Sequence, residues 1–378
     1  MSDTTAGLRG VIAGQTAISH VEEQGDGLFY RGYSITDLIQ HPNHEEVAYL
    51  LLHGHLPNLK SLQQMQHRLA THVGLPTPVQ TILEMLPVTT HPMDVLRTVV
   101  SFLGSIEPED LQMTPWTIAE RLMVLLPSAL NYWHHFHKHG KRMSVQHRSG
   151  ALTSIPEYFL VGLLQRDIAP EAAAALSVSW VLYAEHEFNA STFAARVTAA
   201  TLSDFYSCLC SAIGTLKGPL HGGANEAVMH LLLTCRNPDE AEKKVVALLA
   251  QKRLIMGFGH RVYKKQDPRS MLLKPWTKKL CQQADLMSLF EIAERIEQVM
   301  AREKNMFPNV DFYSAVLYFA MGIPIPFYTP LFVFARLSGW AAHIIEQRQN
   351  NRLIRPAAEY VGVPPQKYIP IQQRDATL

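Results

Sequence analysis

From Ser34 onward, apolar residues return at three- and four-residue spacing, the signature of helices with one buried face. The pattern predicts helices over 46–53, 92–104, 117–139, 171–186, 201–214, 239–252, 285–304 and 311–321. Many are opened by a proline or by Asp, Ser or Thr. Helix 171–186 is apolar on nearly every side, which predicts burial in a large core or an interface. Positions 10–35 differ. There Val11-Ile12-Ala13, Ala17-Ile18-Ser19 and Leu28-Phe29-Tyr30, around a Gln24-Gly25-Asp26-Gly27 turn, predict a short hairpin or two small strands. No sustained alternation follows, so the expected class is all-α, a multihelical fold with a short N-terminal β hairpin.

Segment 314–345 has Arg336 as its only charged residue and resembles a membrane span. Gly322-Ile323-Pro324-Ile325-Pro326 and Thr329-Pro330 cut it into pieces shorter than the ~20 residues a spanning helix needs. Two buried helices joined by a rigid turn are expected instead. Together with Gly218-Pro219, the same break brackets residues 222–319. These breaks predict hinges of a small helical lid on a large domain built from 1–221 and 320–378. No repeat or low-complexity tract points to a solenoid or a disordered array.

Bulk composition narrows the function classes only slightly. The 378 residues are 47% hydrophobic, as expected of a soluble chain with a large core. Lys and Arg number 34 against 33 Asp and Glu, which gives no overall pull towards nucleic acid or an anionic membrane. Cys208, Cys210, Cys235 and Cys281 contain no C-x-x-C pair and read as reduced thiols of a cytoplasmic protein. Met1-Ser2-Asp3-Thr4-Thr5 lacks the charged start and apolar run of a signal peptide.

Candidate chemistry gathers in the C-terminal half, in Gly218-Pro219-Leu220-His221-Gly222-Gly223, Gly257-Phe258-Gly259-His260-Arg261 and Pro308-Asn309-Val310-Asp311. Each sets one proton-transferring side chain among glycines, prolines or short polar residues. Two histidines and a carboxylate suffice to remove a proton at carbon and deliver one to oxygen, the chemistry of bond formation through an enol. His221 precedes a helix start, where the dipole disfavours protonation and leaves a neutral donor for an enolate oxygen. Asp311 precedes an apolar stretch that raises its proton affinity and makes it a competent base, or else it is a helix N-cap. The Gly257-x-Gly259 loop lacks a third glycine and a preceding strand, which excludes a dinucleotide fold. Its amides, with Arg261, Lys264 and Lys265, suit a phosphate-bearing ligand.

Arg269 after Asp267-Pro268 suits a carboxylate, and Arg336 within an apolar run needs an anion. Arg355 reads as a surface residue. His186 closes the apolar helix, where the C-terminal dipole favours its charged form. The histidines of Trp133-His134-His135-Phe136-His137-Lys138-His139 point in different directions on a helix and read as structural, so no metal site is expected.

Taken together, these segments resemble the citrate synthase family from near residue 8 to near residue 362. The resemblance rests on 184–192, 216–226, 257–263 with Asp267-Pro268-Arg269, Asn309-Val310-Asp311 and 350–356. It implies condensation of an acyl-CoA with oxaloacetate and thioester hydrolysis, with no permanently bound cofactor. It also implies a catalytic triad of His221, His260 and Asp311, and a dicarboxylate site of His186, Arg269, Arg336 and Arg355. By the same resemblance Arg355 crosses a homodimer interface, and Leu254, Ile255, Met256, Gly257 and Phe258 line the CoA site. Phrases at 13–19, 184–188 and 342–348 look most like the 2-methylcitrate synthases, which use propionyl-CoA. A citrate synthase preferring acetyl-CoA is the same-class alternative. A non-catalytic helical ligand-binding protein is the alternative of another class.

Overall fold

The computed structural model describes residues 7–8, 10–22, 27–142 and 154–374. A three-stranded antiparallel sheet, β1 (Ser19–Val21), β2 (Leu28–Tyr30) and β3 (Tyr33–Ser34), opens the fold. Sixteen helices follow among the described residues. They are α1 (Ile35–Leu38), α2 (His44–His53), α3 (Leu59–Thr71), α4 (Thr77–Met85), α5 (Pro92–Ile106), α6 (Pro115–His139), α7 (Ile155–Leu164) and α8 (Pro170–Tyr183). The rest are α9 (Ala190–Ala200), α10 (Phe205–Leu216), α11 (Ala224–Leu233), α12 (Pro238–Ala250), α13 (Pro268–Gln283), α14 (Met287–Lys304), α15 (Val310–Ala320) and α16 (Tyr328–Gln349). The all-α expectation holds.

Three local expectations do not. Val11-Ile12-Ala13 forms no strand; it is exposed and has no cross-strand partner among the described residues. The first strand instead begins at Ser19, where burial alternates. Residues 24–26 of the expected turn, and Met1 to Thr5, lie outside the described residues. The helix expected from 201 starts at Phe205, because Leu202 takes a left-handed φ of 64° and Asp204 caps the next helix through Ser207 N–H. The helix expected to run to 186 stops at Tyr183, and residues 184–189 leave the helix.

Helix α16 is the axis of the molecule. Every side chain from Tyr328 to Ile345 is buried, and α2, α6, α8, α9 and α10 pack around it. A large apolar side chain such as Trp340 stabilises that packing; its truncation to alanine costs about 3–5 kcal/mol in a core of this kind. Helices α11 to α15 pack chiefly on one another, α12 on α14 and α13 on α15, and reach α8 and α16 through α13, α15 and α11. No helix among the described residues is long and apolar enough to cross a membrane. All four cysteines are free.

The histidine run ends α6 as structure. His135 Nε2 lies 2.9 Å from the Gly162 carbonyl and His137 Nε2 lies 3.3 Å from that of Leu83. Among the described residues no group of three His, Cys, Asp or Glu side chains is placed to hold a metal ion.

Candidate active site

Three loops and three helices carry the predicted residues other than Arg355: His186, His221 and His260 lie on the loops, and Arg269, Asp311 and Arg336 on α13, α15 and α16. The 257–259 loop runs antiparallel to 307–309: Gly259 N–H donates to the Phe307 carbonyl and Asn309 N–H to that of Gly257, both at 2.9 Å. Gly257 is required twice over. Its φ is 86°, and a Cβ there would meet Val228 Cγ2 at 2.6 Å. This pairing sets His260 beside the start of α15, which carries Asp311. It also corrects the expectation of free amides for a phosphate, since the Gly259 amide is spent on the pairing.

His260 is held by its own loop. Val262 N–H and Tyr263 N–H both donate to Nδ1, at 3.1 and 3.2 Å. An imidazole nitrogen that accepts carries no proton, so the proton sits on Nε2. Burial, then Arg269, pulls the His260 pKa down to about 4, leaving a neutral donor at pH 7. Arg269 Nη2 approaches Nε2 to 3.4 Å. The guanidinium N–H is aimed at Nε2 itself, so the two groups lie side by side where one oxygen of a bound ligand would meet both.

Arg269 reaches there already paired. Asp267 caps α13, with proline in its first turn, and its carboxylate takes Arg269 Nε at 3.0 Å and Nη2 at 2.8 Å. Val310 N–H donates to the same carboxylate at 3.1 Å. Burial alone would lower the Arg269 pKa, but the Asp267 carboxylate more than offsets it and holds it above the ordinary value. The fork expected to face a ligand is thus partly occupied.

His186 and Arg336 complete this end. The His186 ring lies 4.8 Å from that of His260 and 5.3 Å from that of Tyr263. Because α8 ends three residues earlier, no helix C-terminus favours its charged form. Burial, then Arg269 and His260, pushes its pKa well below the usual histidine range, the reverse of the sequence expectation. Arg336, on α16, is 1% exposed, donates from Nε to the Tyr183 carbonyl at 2.6 Å and stacks over Phe332 at 4.8 Å. Burial lowers its pKa to about 10, with Glu185 opposing. His186 Nε2 and Arg336 Nη1 are buried without hydrogen-bond partners. Buried polar atoms left unpaired are costly, and two of them beside a pair of neighbouring donors describe the seat of an anion.

His221 faces the other end. It follows α10 in a turn closed by Gly222 N–H donating to the Leu216 carbonyl at 2.9 Å. Ser191 N–H, at the start of α9, donates to its Nε2 at 3.3 Å, and Ser191 Oγ lies 2.9 Å from the same nitrogen; with the amide donating there, the ring proton sits on Nδ1. Trp340 Nε1–H donates to Ser191 Oγ at 3.2 Å and steadies that serine. Burial, then Arg336, pulls the His221 pKa down to about 4. The neutral donor expected from the sequence is present, with burial as the main cause.

Asp311 lies in the first turn of α15, and Asn309 is the cap. Tyr183 O–H donates to its Oδ1 at 2.6 Å. Burial raises its pKa to about 6, opposed by that hydrogen bond and by Arg269. Its Oδ2 has no hydrogen-bond partner among the described residues and is not sealed in the core. Arg355 stands apart, exposed in the irregular segment after α16. Leu254 is 79% exposed, whereas Ile255 and Phe258 are buried.

The sequence reading missed Tyr183, Ser191 and the part played by Asp267. Asp267-Pro268 carried a readable signal, an N-cap followed by proline at the first helical position. Tyr183 carried none, because a hydroxyl in an all-round apolar helix looks like core.

A family model described as citrate synthase, C-terminal domain, matches residues 7–357. A 2-methylcitrate synthase of Shewanella oneidensis is 45% identical over 98% of both chains. A protein named citrate synthase 2 of Bacillus subtilis is 42% identical over 98% of this chain and 99% of its own. A solved ternary complex of Thermoplasma acidophilum citrate synthase with carboxymethyl coenzyme A and oxaloacetate superposes with a TM-score of 0.90 at 31% identity. It covers 99% of this chain and all (100%) of that one. The chain belongs to the citrate synthase family, a family of acyltransferases.

Proposed function

We propose that the protein condenses an acyl-CoA with oxaloacetate and water, releasing CoA, and that propionyl-CoA is its favoured acyl donor, giving 2-methylcitrate. The observation that carries this reading is the unpaired, buried His186 Nε2 and Arg336 Nη1 beside His260 and Arg269, next to a carboxylate of raised proton affinity. A dicarboxylate supplies the missing partners at one end, and a carbon acid meets the base at the other.

In this reading Asp311 Oδ2 takes the α-proton of the acyl-CoA. His221 donates its Nδ1–H to the thioester oxygen as charge develops there. The enol carbon attacks the oxaloacetate carbonyl, and His260 gives that oxygen its Nε2 proton. Water then cleaves the thioester, so one carbon–carbon bond forms and one carbon–sulfur bond breaks. Arg269, Arg336 and His186 hold the carboxylates. Arg355 of a second copy completes their seat, which the exposed apolar Tyr360, Val361 and Tyr368 of the same segment support as a surface for a homodimer partner. Leu254 to Phe258 line the CoA site, and basic side chains such as Arg253 and Arg261 meet its phosphates. Residues 222–319 act as the lid. A cytoplasmic location, in keeping with four free thiols, belongs to the same reading.

A citrate synthase preferring acetyl-CoA is the second reading, favoured by the relative named citrate synthase 2. The donors differ by one methylene, worth ~1–3 kcal/mol in an apolar pocket, so both are expected to turn over. Thiol release from each, with oxaloacetate, decides. A higher kcat/KM for propionyl-CoA is expected; a higher value for acetyl-CoA selects the second reading, and no release with either refutes both.

A further inference from the structure

We propose that Tyr183 is the positioning residue of the base, fixing one oxygen of Asp311 so that the other is presented to the carbon acid, and that it does so while anchoring Arg336. The inference rests on Asp311 being the base. Tyr183 is fully buried as the last residue of α8. Its hydroxyl donates to Asp311 Oδ1 at 2.6 Å and lies 2.8 Å from Ser314 Oγ, one turn along α15. Its ring meets Phe332 edge-on at 4.6 Å, and Phe332 is the residue over which Arg336 stacks. Its carbonyl takes Arg336 Nε at 2.6 Å.

One residue thus touches the carboxylate through its side chain and the dicarboxylate arginine through its backbone. With Oδ1 engaged, Oδ2 is left as the oxygen that takes a proton. A phenol that donates to a carboxylate favours its charged form, against the burial that favours the neutral one. The hydroxyl therefore decides how much of the base is ionised at neutral pH.

The sign follows directly. The base works ionised, so activity falls as pH drops through the Asp311 pKa. Removing the donor leaves burial less opposed and raises that pKa. Activity is then lost at a higher pH.

The test is the pH profile of kcat/KM for thiol release with propionyl-CoA and oxaloacetate, for wild type, Tyr183→Phe and Asp311→Asn. In Tyr183→Phe the acid limb is expected to move up by about one pH unit or more, the size of a lost hydrogen bond to a charged group. Oxaloacetate binding should persist, because the carbonyl that holds Arg336 is unchanged. Replacing Tyr183 by 3-fluorotyrosine keeps the shape and strengthens the donor, so the limb should move down. That pair of opposite shifts is beyond a merely structural role, and the 3-fluorotyrosine shift alone still tests the proposal where Tyr183→Phe folds poorly. A lower rate at every pH with the limb unmoved in both variants overturns the proposal. Near-normal activity of Asp311→Asn would instead strike at the assignment of the base itself.

Discussion

Asn309 and Gly259 are joined across the two paired loops of the candidate site, the Asn309 Nδ2–H donating to the Gly259 carbonyl at 3.1 Å. The same side chain caps α15 through its Oδ1, which accepts Asp311 N–H at 3.1 Å. One amide thus ties the loop of His260 to the helix of Asp311. Asn309→Ser keeps a capping oxygen but loses the reach to Gly259, so stability should hold while kcat drops. Asn309→Ala should lose kcat and also about 1 kcal/mol of stability, the usual worth of a cap. Urea melts and steady-state rates on both variants separate the two roles; an undiminished kcat in Asn309→Ser would show that the tie has no part in turnover.

Asp311→Asn removes the proposed base and leaves the proposed carboxylate-binding groups in place. Turnover should fall by about 10²–10⁴, the range of a lost general base. Oxaloacetate binding measured by calorimetry should be unchanged. Weakened oxaloacetate binding would place Asp311 in the dicarboxylate seat instead.

Acid should destabilise the fold through its buried histidines. His44, His221 and His260 are each pulled from an ordinary 6.5 to about 4, burial being the largest cause. A group whose folded pKa is depressed gives stability that is full above its unfolded value and is lost as pH falls through the folded one. The window is therefore about 6.5 down to about 4, and the unfolding midpoint should decline through it. Asp311, with a raised pKa, opposes the trend over part of this range. His44, on α2, is 1% exposed, edge-on to Trp180 at 5.2 Å and set against the backbone of Ala335, and it is none of the residues assigned to the site. His44→Phe should flatten the slope of stability against pH without altering kcat, and an unchanged slope would exclude His44 as a contributor.

Shared sites make a prediction of their own. Arg355→Ala and Asp311→Asn each inactivate a homodimer if Arg355 serves the partner's site. Mixed and reassorted, a quarter-to-half recovery is expected from hybrids in which one site escapes both changes. Purified hybrids with differently tagged chains should release thiol where the parents do not; no recovery would confine Arg355 to its own chain.

The sequence picked out the residues that cluster in the fold better than the frame that holds them. His221, His260 and Asp311 stood out because glycine, proline and polar neighbours broke the helical pattern around them. Arg336 stood out because a charge in an apolar run demands a partner. Tyr183 and Ser191 were hidden, since a phenol in an apolar helix and a serine at a helix start are ordinary there. The long-range bonds that give them work join residues over a hundred positions apart. His186 was read with the wrong sign because the end of α8 was placed three residues late, and a dipole argument is only as good as the helix boundary it assumes.

Asp267 spends its carboxylate on Arg269, and the charges of that pair cancel before any substrate arrives. Glu185 Oε1 lies 2.8 Å from His343 Nε2, while its Oε2 is buried without a hydrogen-bond partner. Among the described residues at the dicarboxylate seat, this leaves Arg336 as the cation without a carboxylate in direct contact. In the proposed reading a doubly charged substrate meets Arg336 as that cation, with the Glu185 carboxylate acting on the same guanidinium. In that reading Arg355 of a second copy brings the seat a further cation. Catalysis would then be tied to assembly, and an isolated chain would hold its substrate weakly however well it folds.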